Sequence, residues 1–136
     1  SSAASDVYKR QVRGACILPA QRPGFTENIR VRSIIGRFLE HSRVYYFRAG
    51  ETEHLYLSSA DWMNRNMMRR IELAWPILDK SLRQKIIDEC LVAYLYDNTD
   101  AWDLQVDGRY IQKHLEPRQT PLSAQSELMN RYRQGS

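Results

Sequence analysis

Apolar residues recur along this chain with two different spacings, and each spacing predicts a kind of element. Val31, Ile34, Ile35, Phe38 and Leu39 stand at i, i+3, i+4, i+7 and i+8, the stripe of an amphipathic helix. Thr26 is placed to cap that helix and Glu27 to complement its positive end, so the pattern predicts a helix from there to Leu39. Arg30 and Arg37 share another face of it. Val44–Phe47 is β-branched and aromatic, and His54–Ser58 alternates around Leu55 and Leu57. Both read as strands, joined by a hairpin turn at Ala49-Gly50-Glu51-Thr52. A polar loop from Ser59 to Arg69 leads to a third strand at about Arg70–Pro76. Asp79 then caps a helix whose Leu82, Ile86, Cys90, Ala93 and Tyr94 form one buried stripe.

The two ends carry weaker signals. Ser1–Lys9 is small and polar, with no apolar period, and reads as a disordered leader or a scar. Val12–Leu18 suggests the end of a strand that runs into a loop holding Pro19, Pro23 and Gly24. Ala101–Leu104 and Arg109–Gln112 flank Asp107-Gly108, a strong short hairpin signal. The tail from Leu115 is expected to end in a short helix over Ala124–Tyr132. Strands and helices mixed in this order predict a single α/β domain.

Composition narrows the picture modestly. A chain of 136 residues, 43% hydrophobic and 26% charged, suits one globular domain. No apolar run approaches the roughly 20 residues of a membrane-spanning helix, and no secretory signal opens the sequence. Cys16 and Cys90 form no CxxC pair, so a reduced, cytosolic chain with two buried thiols is the plain reading. The net charge is only +4, but sixteen of the 20 basic residues are arginine. Arginine pairs bidentately with phosphate oxygens, where lysine is a point charge. That leans toward phosphate without naming it.

Three places could carry chemistry. If His41 begins the strand that comes after it, His41 and Arg43 project to one face. A proton-exchanging imidazole beside a guanidinium suits phosphoryl transfer. On local evidence alone a surface histidine beside a solvated arginine is the favoured reading. Ser58, Ser59, Asp61, Asn64 and Asn66 lie just past a strand end, where open α/β sheets bind ligands, although the same residue types make ordinary turns. Arg13 also lies at a strand end, next to Gly14, which would let backbone approach a ligand. Arg65, Arg69 and Arg70 read as a solvated face, His54 as exposed, and His114 as part of a polar tail.

The longer strings then carry a resemblance. "VRGACIL", "PGFTENIRVRSIIGRFLEHSRVYYF" and "LYLSSADWMNRN", in this order, resemble the C-terminal catalytic domain of long-chain polyphosphate kinases. The likeness continues through "RRIELAWPI", "LRQKIIDECL", "AWDLQVDGRY" and "PLSAQSELM". It implies an α/β half domain of phospholipase-D type, a mixed sheet flanked by helices, over residues 11–114, with a tail at 115–136 and a non-matching leader at 1–10. It implies reversible transfer of the ATP γ-phosphoryl group to inorganic polyphosphate. In that setting Arg13 resembles a nucleotide-phosphate contact. His41 resembles the family's second active-site histidine, a nucleotide contact and general acid or base, and Arg43 takes the lysine place of the H-x-K pattern of the wider group. The histidine that becomes phosphorylated, and the ligands of Mg²⁺, are expected in a preceding domain, so the chain is expected to hold one half of a two-half site. The expected partners are ATP or ADP, polyphosphate, the upstream domains and further copies in a homo-oligomer, with no nucleic acid. The expected location is cytoplasmic, with attachment to the inner membrane left open. Two rivals remain at this level: a phospholipase-D-type phosphodiesterase half-site, and a non-catalytic polyanion-binding module.

Overall fold

The computed structural model describes residues 8–11, 18–61 and 63–133, of which 8–11 and Met67 are described by backbone alone. The chain divides into two compact units, one formed by Ser1–Leu39 with Tyr94–Ser136 and the other by Glu40–Ala93.

The first unit is built on a four-stranded mixed sheet of strands β1 (Tyr8–Gln11), β2 (Ile29–Ile34), β6 (Ala101–Leu104) and β7 (Tyr110–Gln112), in the order β1-β2-β6-β7. Strand β1 runs parallel to β2, with Tyr8 opposite Ile29, and residues 8–10 of the expected leader therefore belong to a strand. Strands β2, β6 and β7 are antiparallel, with Arg32 opposite Asp103 and Leu104 opposite Tyr110. The core lies under this sheet, where Ala20, Val31 and Leu104 are buried against Leu18, Ile29 and Tyr110.

Strand β2 corrects the helix expected over Thr26–Leu39. Ile29 and Val31 point inward on either side of exposed Arg30, which is strand alternation. Arg32 is half-buried because it pairs with the Asp103 carboxylate at 2.7 Å and donates to the Leu95 carbonyl at 2.5 Å. Thr26 caps no helix: its hydroxyl accepts from the Arg22 amide and donates to the Pro19 carbonyl, closing a loop. The second half of the expected stripe, Ile35, Phe38 and Leu39, is exposed. Cross-strand pairing to residues remote in sequence therefore overrides a helical spacing.

The polar segment before the last helix closes this unit. Asp97 is fully buried, and its two oxygens accept from the amides of Thr99, Asp100 and Ala124 at 2.7–3.0 Å. Ala124 opens helix α4 (Ala124–Arg133), close to the expected range. The next side chain, Gln125, clasps the backbone of Phe38, accepting from its amide and donating to its carbonyl, each at 2.8 Å.

The second unit is a three-stranded antiparallel sheet of β3 (Arg43–Ala49), β4 (Thr52–Ser58) and β5 (Ala74–Pro76). The first two strands match expectation, and Gly50, at φ +57°, supplies the left-handed first position of the tight turn. That turn sets the register, with Ala49 opposite Thr52 and Arg43 opposite Ser58. Alternation then puts Arg43, Tyr45, Phe47, Tyr56 and Ser58 on one face, and Val44, Tyr46, Leu57 and buried Leu55 on the other. The expected polar loop contains a short helix, α1 (Asn64–Arg69), and the third strand is shorter than expected.

Asp79 caps helix α2 (Lys80–Ile87) as expected, accepting from the Leu82 amide at 2.7 Å. A π-helical turn at Asp88–Val92 interrupts the helical run before α3 (Ala93–Tyr96). The wider turn shifts the phase of the residues beyond it. Of the expected buried stripe only Tyr94 is buried; Ile86, Cys90 and Ala93 are half-buried and Leu82 is exposed.

Candidate functional site

Strand β3 opens at Arg43, two residues after His41, and its guanidinium folds back on the residue before the strand. Nη1 donates to the His41 carbonyl at 2.9 Å and lies 2.7 Å from His41 Nδ1, while Nη2 lies 3.3 Å from Nε2. Arg43 Nε donates to Asp61 Oδ1 at 2.9 Å. His41 therefore precedes the strand rather than beginning it, and meets Arg43 because the guanidinium folds back, not through strand alternation. Asp61, which local sequence marks only as a loop residue, joins the pair. The Arg43 side chain is 16% exposed and that of Asp61 31%, whereas His41 is exposed. The hydrogen bond to Asp61 raises the Arg43 pKa above its ordinary value, against a smaller opposing effect of burial.

The segment carrying Asp61 is braced on several sides. Ser58 Oγ accepts from the Ala60 amide at 3.1 Å and donates to the Leu73 carbonyl at 2.9 Å. Ser59 Oγ donates to Glu72 Oε2 at 2.5 Å and accepts from the Leu73 amide at 3.0 Å. Tyr45 donates its hydroxyl to the Ala60 carbonyl at 3.1 Å. The two serines that were candidate ligand contacts are thus engaged in holding the loop. On the Arg43 face of the sheet, a shallow groove of about 350 Å³ is lined by Tyr45, Phe47, Tyr56, Ser58 and Leu73, among others. Asn66 is buried, and its Oδ1 has no hydrogen-bond partner among the described residues.

Arg13 lies outside the described residues, as do Gly14 and Cys16. Arg65, Arg69 and Arg70 are exposed, and so are His54 and His114, in line with the solvated roles expected for them. Cys90 is a free, half-buried thiol. Among the described residues no group of three His, Cys, Asp or Glu is disposed to hold a metal ion. Mg²⁺ beside His41 would meet a guanidinium, and an Asp61 carboxylate that this guanidinium already engages. These donors do not fit the ion, which wants several oxygen ligands.

His41, just before strand β3, and the Arg43–Asp61 ion pair thus form one polar cluster in a mixed α/β chain. The family model described as "Polyphosphate kinase C-terminal domain 2" matches residues 6–125. Similar proteins include the polyphosphate kinase of Burkholderia multivorans, 57% identical over 99 residues, covering 73% of this chain and 14% of that protein. The polyphosphate kinase of Pseudomonas putida is 52% identical over 120 residues, covering 88% of this chain and 16% of that protein. The crystal structure of polyphosphate kinase from Porphyromonas gingivalis superposes with a TM-score of 0.83 at 41% identity, covering 93% of this chain and 19% of that one. The chain belongs to the polyphosphate kinase family, as a C-terminal domain. It spans between 14% and 19% of the length of these relatives.

Proposed function

We propose that this chain is one half of a polyphosphate kinase active site, on a fold of phospholipase-D type, serving reversible transfer of the ATP γ-phosphoryl group to inorganic polyphosphate. The observation that carries the reading is the His41–Arg43 pair, with Nη1 and Nδ1 2.7 Å apart, inside a chain of this family. His41 acts there as general acid or base, and Arg13, His41 and Arg43 contact the nucleotide phosphates. Phosphoryl transfer asks little covalent chemistry of the protein, and charge stabilisation with proton management is what these groups offer.

The nucleophilic histidine, and the ligands of Mg²⁺, are assigned to polypeptide outside these residues, and no step here is routed through the ion. Exposed apolar side chains at Met68, Ile71, Leu73 and Leu78 support a larger assembly around this segment. No helix among the described residues is long and apolar enough to cross a membrane.

The test is His41→Ala in a full-length polyphosphate kinase that contains this segment, assayed for polyphosphate synthesis from ATP and for ATP formation from ADP. Loss of both directions with folding intact is the expected result. Undiminished synthesis, or measurable turnover by the 136 residues alone, would overturn the half-site reading.

A further inference from the structure

We propose that Asp61 is a positioning residue for this site: it fixes the Arg43 guanidinium, which in turn fixes the ring orientation and tautomer of His41. The proposal rests on the phosphotransferase reading for its kinetic consequence, but not for its geometry.

A guanidinium has five N–H donors and no acceptor. Arg43 gives its Nε donor to Asp61 at 2.9 Å, and this bond sets the plane and the rotation of the group. Nη1 then faces both the His41 carbonyl, at 2.9 Å, and Nδ1, at 2.7 Å. Each ring nitrogen has a guanidinium N–H within reach, so the roles turn on the tautomer. We take the shorter contact, at 2.7 Å, as the donated bond, which makes Nδ1 the acceptor and leaves the proton of the neutral ring on Nε2. Nη2 stands 3.3 Å from that Nε2. Two N–H groups side by side do not bond to one another. They form a two-point donor pair that a phosphoryl oxygen satisfies by accepting from both.

Asp61 is suited to set this arrangement because its own segment is held. Ala60, the residue before it, is buried. Its amide donates to Ser58 Oγ and its carbonyl accepts from Tyr45. The Ser59 hydroxyl ties the same segment to Glu72 and Leu73. Without Asp61 the long Arg43 side chain regains rotamer freedom, and the guanidinium no longer has a fixed edge to present to the imidazole. A group that orients a catalytic side chain in this way affects the chemical step more than substrate binding.

The experiment has two arms. In a full-length kinase containing this segment and labelled with ¹⁵N-histidine, long-range ¹H–¹⁵N correlation, with the His41 signal assigned by its loss in His41→Ala, reports which ring nitrogen is protonated. Wild type is expected in the Nε2–H form, Asp61→Ala in a mixture of tautomers, and Asp61→Asn close to wild type, because its Oδ1 still accepts from Arg43. In a full-length kinase containing this segment, Asp61→Ala is expected to lower kcat on the order of 10–100-fold, the scale of a misplaced catalytic group, with KM for ATP changed less than about threefold. Asp61→Asn is expected to recover most of that loss. A wild-type ring in the Nδ1–H form, or an Asp61→Ala ring indistinguishable from wild type, overturns the proposal whatever the activity shows. Where His41→Ala abolishes synthesis, an unchanged kcat in Asp61→Ala overturns it too. If Asp61→Ala fails to fold, judged by circular dichroism, Asp61→Asn decides: a mixed tautomer in that variant refutes the role given to its oxygen. An Nε2–H ring in a kinase indifferent to His41→Ala leaves the positioning geometry standing and removes the phosphotransferase reading.

Discussion

Gly36→Ala should destabilise the first unit by expelling Gln125 from its clasp on Phe38. A Cβ on Gly36 would stand 2.4 Å from Gln125 Oε1 and 2.8 Å from its Cδ, too close for either to remain. The backbone itself is no obstacle, since Gly36 does not adopt a left-handed conformation. Gln125 is 5% exposed and makes two hydrogen bonds to Phe38 at 2.8 Å. Losing both costs about 2 kcal/mol at roughly 1 kcal/mol each. Against this, alanine lowers the entropy of the unfolded chain and returns about 0.4–1 kcal/mol. The net expectation is a loss of about 1–2 kcal/mol. Urea denaturation followed by circular dichroism would read it as a lower midpoint at constant slope, with faster amide exchange at Phe38. The decisive comparison is a double-mutant cycle with Gln125→Ala. Once Gln125 is truncated nothing remains for the new methyl to strike, so Gly36→Ala should become neutral or slightly stabilising in that background. Equal cost in both backgrounds would refute the clash and the clasp together.

Leu55 is 1% exposed at the centre of β4, so Leu55→Ala should cost about 2–5 kcal/mol; a midpoint within error of wild type would show that the sheet face is not a core. Hydrogen bonds from the Leu82 amide and the Ser81 hydroxyl hold the Asp79 carboxyl below its usual 3.8. The folded pKa is the lower one, so this contribution is complete above the unfolded value and is lost as pH falls through the folded one. The melting-temperature penalty of Asp79→Ala should thus be constant from neutral pH down to about pH 5 and shrink below the usual carboxylate range; a pH-independent penalty would contradict the capping account. Burial, aided by Glu89 and Glu40, pushes the Cys90 thiol up, and a protonated thiol is a poor nucleophile. Peptide mapping after brief iodoacetamide treatment at about pH 8, near the ordinary thiol range, should find Cys90 alkylated more slowly than free cysteine, and alkylation at the free rate would refute this.

How much of the molecule can be read from the chain depends on where each element finds its partners. The β3–β4 hairpin is legible because its alternation, its Gly50 turn and its pairing all lie within a few residues. The same holds for the β6–β7 hairpin around Asp107-Gly108 and for the Asp79 cap. Strand β2 is not legible, because what makes Ile29–Ile34 extended is Asp103 and its neighbours, remote in sequence. The residues chosen for helical spacing include Ile29's alternation partner Val31, so two periods overlap there, and only remote pairing selects between them. His41 and Arg43 are visible as a pair because they sit two residues apart. Asp61 is visible only as a turn residue, since nothing local announces that its carboxylate meets Arg43 across the sheet.

The nesting of one unit inside the sequence of the other has a consequence for synthesis. Glu40–Ala93 is a continuous insert within the first unit, and its hairpin needs only its own residues. Strand β2 emerges from the ribosome before that insert, yet its partner β6 comes after it, and Arg32 waits 71 residues for Asp103. Translation delivers the completed insert first and holds the older strand open. An insert already folded leaves fewer freely moving residues to be closed into a loop, which lowers the entropic cost of the β2–β6 encounter. A chain stalled before Ala101 would expose β2 along the side that β6 covers, so nascent chains of that length should be the ones most readily bound by chaperones that recognise unpaired apolar strands.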